Sequence, residues 1–228
     1  MAIIDQLKGD PKVFLGTKPL IVAGNPPMNA ANHQQSTVNF TGGSVVLKDQ
    51  TASLSLLDLS IALEHGKYKI YVPAAAGEAS SSYYLPWKEG SAYSITLGAD
   101  AQFFTTAHMS SCALLIGGTP AAPTVIHANC GNSPRIGTKL SANIDSYTSL
   151  YNNLLQALVT GGQLPPNSPG ATPIAMHDPG LYMTGSKAGY TAVIGRRSGG
   201  SWSFFYNVNN GVTGFTGQLW PSYDRFPY

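Results

Sequence analysis

Charged residues are scarce in this 228-residue chain. Aspartate, glutamate, lysine and arginine together make up 11% of it, less than half of the roughly 25% that is usual in soluble proteins. The formal net charge is +2, and the basic residues are scattered, with Arg196-Arg197 as the longest cluster. Because nucleic-acid-binding proteins present a basic patch or stripe, this composition predicts no nucleic-acid partner.

Long apolar runs are also lacking. No stretch approaches the roughly 20 apolar residues that cross a bilayer as a helix, so we expect no membrane partner. Residues 1–8 lack the charged start and the apolar core of a secretory signal. The sequence therefore predicts a protein that is made in the cytoplasm without a signal peptide.

Cysteine is limited to Cys112 and Cys130. Two cysteines do not make a disulfide framework, and the absence of a C-x-x-C spacing argues against a zinc site. We expect Cys130 to be a small buried hydrophobic residue. Cys112 differs, because it lies where a turn of small residues enters an apolar run. It is the candidate for chemistry.

Hydrophobic residues make up 43% of the chain and glycine is frequent, with 25 residues. Short strand-like runs, divided by Gly, Pro and Asn clusters, follow one another along most of the sequence. A helix is predicted over residues 141–160, where apolar and aromatic residues recur at helical spacing. A shorter helix over residues 1–10 is expected to end at Gly9-Asp10-Pro11, before a strand at residues 13–15. The pattern predicts an α/β fold, a single domain over residues 1–228 with a two-layer mixed β-sheet sandwich flanked by helices.

Two apolar runs on either side of a Gly/Pro-rich loop predict an antiparallel hairpin around Cys112 and His127. If the turn of the hairpin is centred between Thr119 and Pro120, Cys112 and His127 face each other with their Cβ atoms about 4.5–5.5 Å apart. A thiol beside an imidazole becomes a thiolate–imidazolium pair, which is a nucleophile at neutral pH. His108 is also near Cys112 in the chain, and we expect it to be a surface or packing histidine.

The turn that precedes Cys112 suggests the rest of an acyl-transfer site. Backbone N–H groups of the Ser110-Ser111-Cys112 turn can form an oxyanion hole for a tetrahedral intermediate. The group attacked would then be an acyl carbon. Cys and His at this spacing are, by themselves, equally compatible with a structural role.

Four blocks of the sequence resemble the Burkholderia lethal factor 1-like glutamine deamidase toxins, a family related to the catalytic domain of the cytotoxic necrotizing factors. Their order and approximate spacing match over about residues 83–130, and the Leu-Pro-Trp-Lys block is the most specific. The family's Leu-Ser-Gly-Cys signature has serine in place of glycine here. The blocks are Leu85-Pro86-Trp87-Lys88-Glu89-Gly90, Phe103-Phe104-Thr105, Met109-Ser110-Ser111-Cys112 and His127.

The resemblance implies Cys112 as the nucleophile and His127 as the base that activates it. It also implies a threonine that orients the imidazole. Matching from the phenylalanine pair selects Thr105, which we favour, whereas counting back from the cysteine selects Thr106. Neither a cofactor nor a metal is implied.

The resemblance further implies a target, a glutamine side chain on a host protein, which is converted to glutamate. For one relative that protein is a translation initiation helicase. Such a toxin would be made in a bacterial cytoplasm, act in the host cell cytosol and be a monomer. Trp87 and Lys88 belong to the most specific block and are candidate substrate contacts, although a packing tryptophan beside a lysine with an exposed amine would give the same pattern.

Two other functions remain open at this stage. One is another Cys-His acyl-transfer enzyme, such as a protease or a transglutaminase-like protein, which would share the pair but not the product. The other is a non-enzymatic β-rich binding module in which Cys112 is merely buried. The tyrosine- and asparagine-rich residues 206–210 would suit sugar binding, and they equally suit solvated strands and turns.

Overall fold

Strands dominate the described part of the chain. The computed structural model describes residues 6–7, 9–17, 19–22, 34–50, 56–71, 80–130, 144–165, 174–182, 190–209 and 214–222. The strands in these ranges are β1 (Leu20–Val22), β2 (Gln34–Phe40), β3 (Gly43–Gln50), β4 (Leu56–Glu64), β5 (Lys67–Tyr71), β6 (Ser80–Leu85), β7 (Ser91–Thr96), β8 (Phe103–Thr106), β9 (Ala113–Thr119), β10 (Ala122–Ala128), β11 (Ala175–His177), β12 (Tyr190–Ser198), β13 (Ser201–Asn209) and β14 (Gly214–Trp220). The helices whose bounds lie within these ranges are α1 (Pro11–Thr17), α2 (Ile144–Thr160) and α3 (Pro179–Tyr182), and residues 6, 7 and 9 are helical as well. Within the same ranges, no helix has the length and apolarity needed to cross a membrane.

The strands form two sheets. One has eight strands in the order β1-β5-β4-β6-β8-β12-β13-β14, and the other has six in the order β11-β9-β10-β7-β3-β2. Both are mixed, because β1 and β5, β6 and β8, and β3 and β7 pair in parallel while the remaining pairs are antiparallel. The predicted α/β class, with a two-layer mixed β-sheet sandwich and flanking helices, is confirmed.

The main core lies between the two sheets. Leu114 and Val125 of the six-stranded sheet are buried in one cluster with Phe104, Trp202 and Phe204 of the eight-stranded sheet. The rings of Phe104 and Phe204 meet edge to face, with centroids 5.6 Å apart. Burying a side chain of this size stabilises the fold by about 1.5–3 kcal/mol. The inner faces of β8, β9 and β10 are thereby held in place.

Helix α2 covers the outer face of the six-stranded sheet. Its apolar stripe, including Tyr151 and Leu154, packs against Leu115 of β9 and Ile126 of β10. The helix predicted from apolar spacing is confirmed at Ile144–Thr160, and residues 141–143 lie outside the described residues. Gly162, just after the helix, has a φ of 75°, a left-handed conformation that glycine adopts without strain. Strand β9 is therefore buried on both faces.

Helix α1 covers the outer face of the eight-stranded sheet, where Phe14 joins a cluster with Leu59 and Ile194. The described residues 6, 7 and 9 are helical, and Asp10, whose N–H donates to the Gln6 carbonyl oxygen at 3.3 Å, interrupts the helix, so the predicted end at Gly9-Asp10-Pro11 is confirmed. Pro11 then begins a second helix, α1. Asp10 Oδ1 accepts a hydrogen bond of 3.0 Å from the Val13 backbone N–H, as a residue that caps a helix N-terminus does. Proline is well suited to the first helical position. The strand predicted at residues 13–15 was wrong, because these residues belong to α1.

Candidate active site

The hairpin that carries the candidate residues has a different register from the one predicted. In the β9–β10 ladder Thr119 pairs with Ala122, and His127 pairs with Leu114. The predicted Cys112–His127 pair is therefore wrong by two residues, because the turn is centred one residue later. Side chains of a strand repeat every two residues, so a shift of two keeps each residue on its predicted face. Cys112 and His127 still share the face toward the main core.

The His127 ring is anchored by Thr106, at the end of β8. Thr106 Oγ1 lies within hydrogen-bond distance of His127 Nδ1, and it also donates to the Leu85 carbonyl oxygen at 2.7 Å. A hydroxyl has only one proton to donate, so Thr106 must accept the second hydrogen bond from Nδ1–H. The arrangement fixes the tautomer of His127 in which Nε2 carries the free lone pair, and this is the form that can act as a base.

Thr105 lies on the other side of the same strand. Its Oγ1 donates to the Val193 carbonyl oxygen at 3.2 Å. Successive residues of a strand point to opposite faces, so Thr105 and Thr106 cannot both reach His127. This placement corrects the preference for Thr105, because Thr106 is the threonine that contacts the imidazole.

Cys112 Sγ has a side-chain partner that the sequence did not suggest. The side-chain amide of Asn129 donates to Sγ at 3.1 Å. The last pair of the β9–β10 ladder is Ala113 with Ala128. Asn129 is the next residue after Ala128 and therefore lies opposite Cys112. Among the described residues, His127 Nε2 has no hydrogen-bond partner. The expected hydrogen bond between His127 Nε2 and the sulfur is therefore not formed.

Burial favours the neutral forms of both groups. Cys112 is 4% exposed and His127 is 0% exposed. Burial raises the pKa of the Cys112 thiol to about 11, against the opposing effect of hydrogen bonds from Asn129 and the Ser111 backbone. Burial also lowers the pKa of His127 to about 3, and the charge of His108 adds to this. At neutral pH the pair is thus a thiol and a neutral imidazole, which differs from the thiolate–imidazolium pair expected from the sequence.

Two tyrosine hydroxyls hold the turn that presents the sulfur. Tyr182 of α3 donates to the Cys112 carbonyl oxygen at 2.6 Å, and Tyr151 of α2 donates to the Ser111 carbonyl oxygen at 2.7 Å. Ser110 is exposed and Ser111 is partly buried. The predicted oxyanion turn is therefore fixed at two consecutive carbonyl groups, and its outer side faces solvent.

Two other described histidines, His177 and His108, and the second cysteine have different surroundings. His177 of β11 is buried across β9 from His127, with Nε2 2.9 Å from Thr191 Oγ1. His108 is exposed, with Nδ1 3.3 Å from the Val22 carbonyl oxygen. Cys130 is buried in the apolar cluster beneath α2, as expected of a cysteine that acts as a small hydrophobic residue. No group of three or more metal-ligating side chains occurs within the ranges that the structure describes.

The Trp87-Lys88 segment lies close to the same end of the sheet. Strand β6 runs parallel to β8, and its last residue, Leu85, pairs with Thr106. The chain therefore leaves β6 beside the threonine that holds His127. Trp87 is 39% exposed and Lys88 is exposed. A large aromatic side chain and a lysine thus border the end of the sheet where the candidate residues gather.

The tyrosine- and asparagine-rich segment has a different place. Tyr206 and Asn207 are buried. The Asn207 side chain binds backbone groups of Leu15 and Leu20, donating to the Leu15 carbonyl oxygen at 3.0 Å and accepting from the Leu20 N–H at 3.1 Å. These contacts anchor the N-terminal segment to β13. Because Tyr206 and Asn207 are both buried, they cannot contact a sugar at the surface; residue 210 lies outside the described residues.

Comparisons with known proteins give no family. No protein-family model matches the chain, and no curated protein matches it. Among solved structures, the C-terminal domain of CNFy from Yersinia pseudotuberculosis is similar over 96% of this chain and 100% of that chain, with 8% sequence identity and a TM-score of 0.38. A likeness this weak says nothing about activity, so the resemblance to the deamidase toxins stays a prediction.

Proposed function

We propose that this protein is a cysteine-dependent glutamine deamidase that acts on a host protein. The observation that carries the proposal is the fixed tautomer of His127, whose Nδ1 is held by Thr106 and whose Nε2 lone pair is free on the face that also bears Cys112. His177 Nδ1 also has no partner among the described residues, but the tautomer of His127 is fixed because the one proton of Thr106 is donated to Leu85. A buried ring nitrogen with a free lone pair, on the same face of the sheet as a cysteine, is suited to proton transfer.

The reaction begins with neutral groups. As the Cys112 sulfur attacks the carboxamide carbon of a glutamine, the thiol proton passes to His127 Nε2. The carbonyl oxygen becomes an oxyanion, for which the backbone N–H groups at Ser110 and Ser111 are the candidate donors. The intermediate then collapses, the C–N bond breaks, and the proton on Nε2 moves to the leaving nitrogen to give ammonia. A thioester to Cys112 remains.

Hydrolysis of the thioester completes the cycle. Water loses a proton to His127 Nε2 and attacks the thioester carbon. The C–S bond breaks, the sulfur regains its proton, and the product is glutamate. The sum is glutamine side chain plus water to glutamate side chain plus ammonia. The change places a negative charge on the partner protein, which is enough to disrupt an interface.

The proposal is tested by its products. The purified protein is incubated with a eukaryotic cell lysate, ammonia is measured enzymatically, and converted glutamines are located by peptide mass spectrometry. We expect ammonia together with glutamine-to-glutamate conversion in intact chains. Peptide-bond cleavage would instead identify a protease, and amine cross-links would identify a transglutaminase-like enzyme. No covalent change in any lysate protein would favour a binding module.

Thr106 provides the first sharp prediction. Thr106→Val removes the hydroxyl that accepts from His127 Nδ1–H, so the ring can adopt the other tautomer, in which Nε2 is protonated and cannot act as a base. We expect kcat for deamidation to fall about 100-fold. Thr106→Ser keeps the hydroxyl and is expected to retain most of the activity. Equal activity of the valine and serine variants, with both folded by circular dichroism, would contradict the role given to Thr106.

Trp87 provides a second prediction, about recognition of the partner. An exposed tryptophan is a frequent anchor of protein interfaces, so Trp87→Ala is expected to raise KM for the protein substrate about tenfold with little change in kcat. Leu63→Ala is the matched control, since Leu63 is 49% exposed on β4, outside the site described above. Steady-state kinetics of the three proteins decide the point. A fall in kcat alone, or an equal effect of the control, would exclude Trp87 as a contact.

A further inference from the structure

We propose that Asn129 is a catalytic residue whose side-chain N–H stabilises negative charge on Cys112 Sγ. The role is defined by the thiol itself, and only its contribution to turnover rests on the proposed deamidase function. No feature of the sequence pointed to Asn129, because its relation to Cys112 depends on the register of the hairpin.

The contact is direct and buried. Asn129 Nδ2 lies 3.1 Å from Sγ, and Asn129 is itself 5% exposed. A neutral thiol is only a weak acceptor, whereas a thiolate accepts strong, charge-assisted hydrogen bonds. The same amide therefore gains far more from the charged sulfur than from the neutral one. This difference is what a catalytic donor needs, because it acts when charge develops on the nucleophile.

The sulfur has few other sources of stabilisation. The His127 ring is held by Thr106 and makes no hydrogen bond through Nε2 to any described residue, so a resting ion pair does not lower the thiol pKa. Burial works against the thiolate, and the hydrogen bond from Asn129 is the larger of the two opposing effects, ahead of the Ser111 backbone. Removal of the amide would leave the charged sulfur with the backbone of Ser111.

Asn129 is held firmly enough to act as a fixed donor. Its backbone N–H donates to the Ser91 carbonyl oxygen at 2.9 Å. The next residue, Cys130, donates its N–H to the Tyr151 hydroxyl at 3.3 Å, and the same hydroxyl binds the Ser111 carbonyl oxygen. The two segments that carry Asn129 and Cys112 are thus joined through one tyrosine. A donor fixed in this way needs little reorganisation when the sulfur becomes charged.

A purely structural role makes a different prediction. If the amide only fills space and satisfies its own hydrogen-bonding groups, its removal would lower stability without changing the acidity of the thiol. If it stabilises the thiolate, its removal must lower the thiolate fraction at any pH below the thiol pKa. The reactivity of Cys112 toward a small neutral electrophile measures that fraction. The measurement requires no substrate.

The experiment uses the full chain with Cys130→Ser, so that Cys112 is the sole thiol. Alkylation by iodoacetamide is followed by intact-mass spectrometry from about pH 6 to pH 9, a range that lies below the raised thiol pKa. Asn129→Ala and Asn129→Asp are compared with the parent. Asp is nearly isosteric, so it preserves packing while replacing a donor by a carboxylate. Thr124→Val, which removes a hydroxyl elsewhere on β10, is the matched control for local loosening of the hairpin.

We expect Asn129→Ala to slow alkylation about 10- to 100-fold at each pH, and Asn129→Asp to slow it further because of charge repulsion. The control is expected to react like the parent. Parent-like rates in both Asn129 variants would overturn the proposal, as would a parent Cys112 that does not react at all. If the alanine variant does not fold, the aspartate variant alone decides. If the wild-type protein does not deamidate any lysate protein but the Asn129 variants are alkylated more slowly as expected, the proposed function is refuted and the Asn129–sulfur interaction is supported.

Discussion

Replacing Cys112 by serine is expected to lower ammonia release from a protein substrate by a factor of about 10⁴ or more. Serine is nearly the same size as cysteine and fits the buried position beside Asn129. Its hydroxyl is, however, a far weaker acid than a thiol. Transfer of its proton to His127 therefore costs more than transfer from a thiol, and a neutral hydroxyl is a much weaker nucleophile than sulfur. The fold should survive while the chemistry stops.

The matched control is the other cysteine. Cys130 lies on the opposite face of the six-stranded sheet, packed beneath α2, and Cys130→Ser should retain activity apart from a modest loss of stability. Ammonia assays and peptide mass spectrometry on the three proteins give the comparison. If the Cys112 variant still converted glutamine at a tenth of the wild-type rate, the sulfur could not be the nucleophile. Loss of activity only in the folded Cys130 variant would move the nucleophile to the other cysteine.

Replacing His127 by asparagine is expected to lower kcat about 1,000-fold. The asparagine amide can still donate toward Thr106 Oγ1, but it has no basic nitrogen to take the thiol proton. His177→Asn is the matched control, because His177 is equally buried and lies across β9 from His127. We expect the control to keep activity within about tenfold of the wild type. Stopped assays with both variants, after thermal unfolding has shown that each is folded, give the result.

The pH dependence gives the same prediction a second test. A base with an ordinary histidine pKa loses its free lone pair as the pH falls through about 6.5. Because the pKa of His127 is lowered to about 3, the neutral imidazole persists below that range. The wild-type kcat/KM should therefore show no loss of activity centred near pH 6.5. A fall with a midpoint near that pH, or equal losses in the two histidine variants, would argue that His127 is not the buried base.

The hairpin shows how far sequence reasoning could go. Its two apolar runs predict the strands, and strand periodicity predicts that Cys112 and His127 share a face. The position of the turn is not determined by this pattern, because centring it one residue later moves every pair by two and keeps the faces unchanged. The predicted turn centre between Thr119 and Pro120 was therefore wrong, although the hydrophobic pattern of the two strands fits both registers equally well. The choice between Thr105 and Thr106 is a separate question, because adjacent residues of β8 point to opposite faces and only one of them can point toward the main core.

Residues that reach the site from distant segments were beyond prediction. Tyr151 and Tyr182 contact the turn from helices far along the chain, and no local pattern distinguishes them from ordinary core tyrosines. The contact of Asn129 with Cys112 could not be predicted, because it depends on the register of the β9–β10 hairpin. The helix begun by Asp10-Pro11, in contrast, was predictable, since a capping aspartate followed by proline is a common start of a helix.

The two tyrosine contacts have a consequence for how this protein would lose activity. The carbonyl oxygens of Ser111 and Cys112 accept hydrogen bonds from side chains of α2 and α3. The geometry of the reactive turn is therefore a tertiary property that depends on how the helices dock. A partly unfolded form with both sheets intact but α2 detached would keep most of its secondary structure. It would nevertheless carry a misplaced sulfur and be inactive.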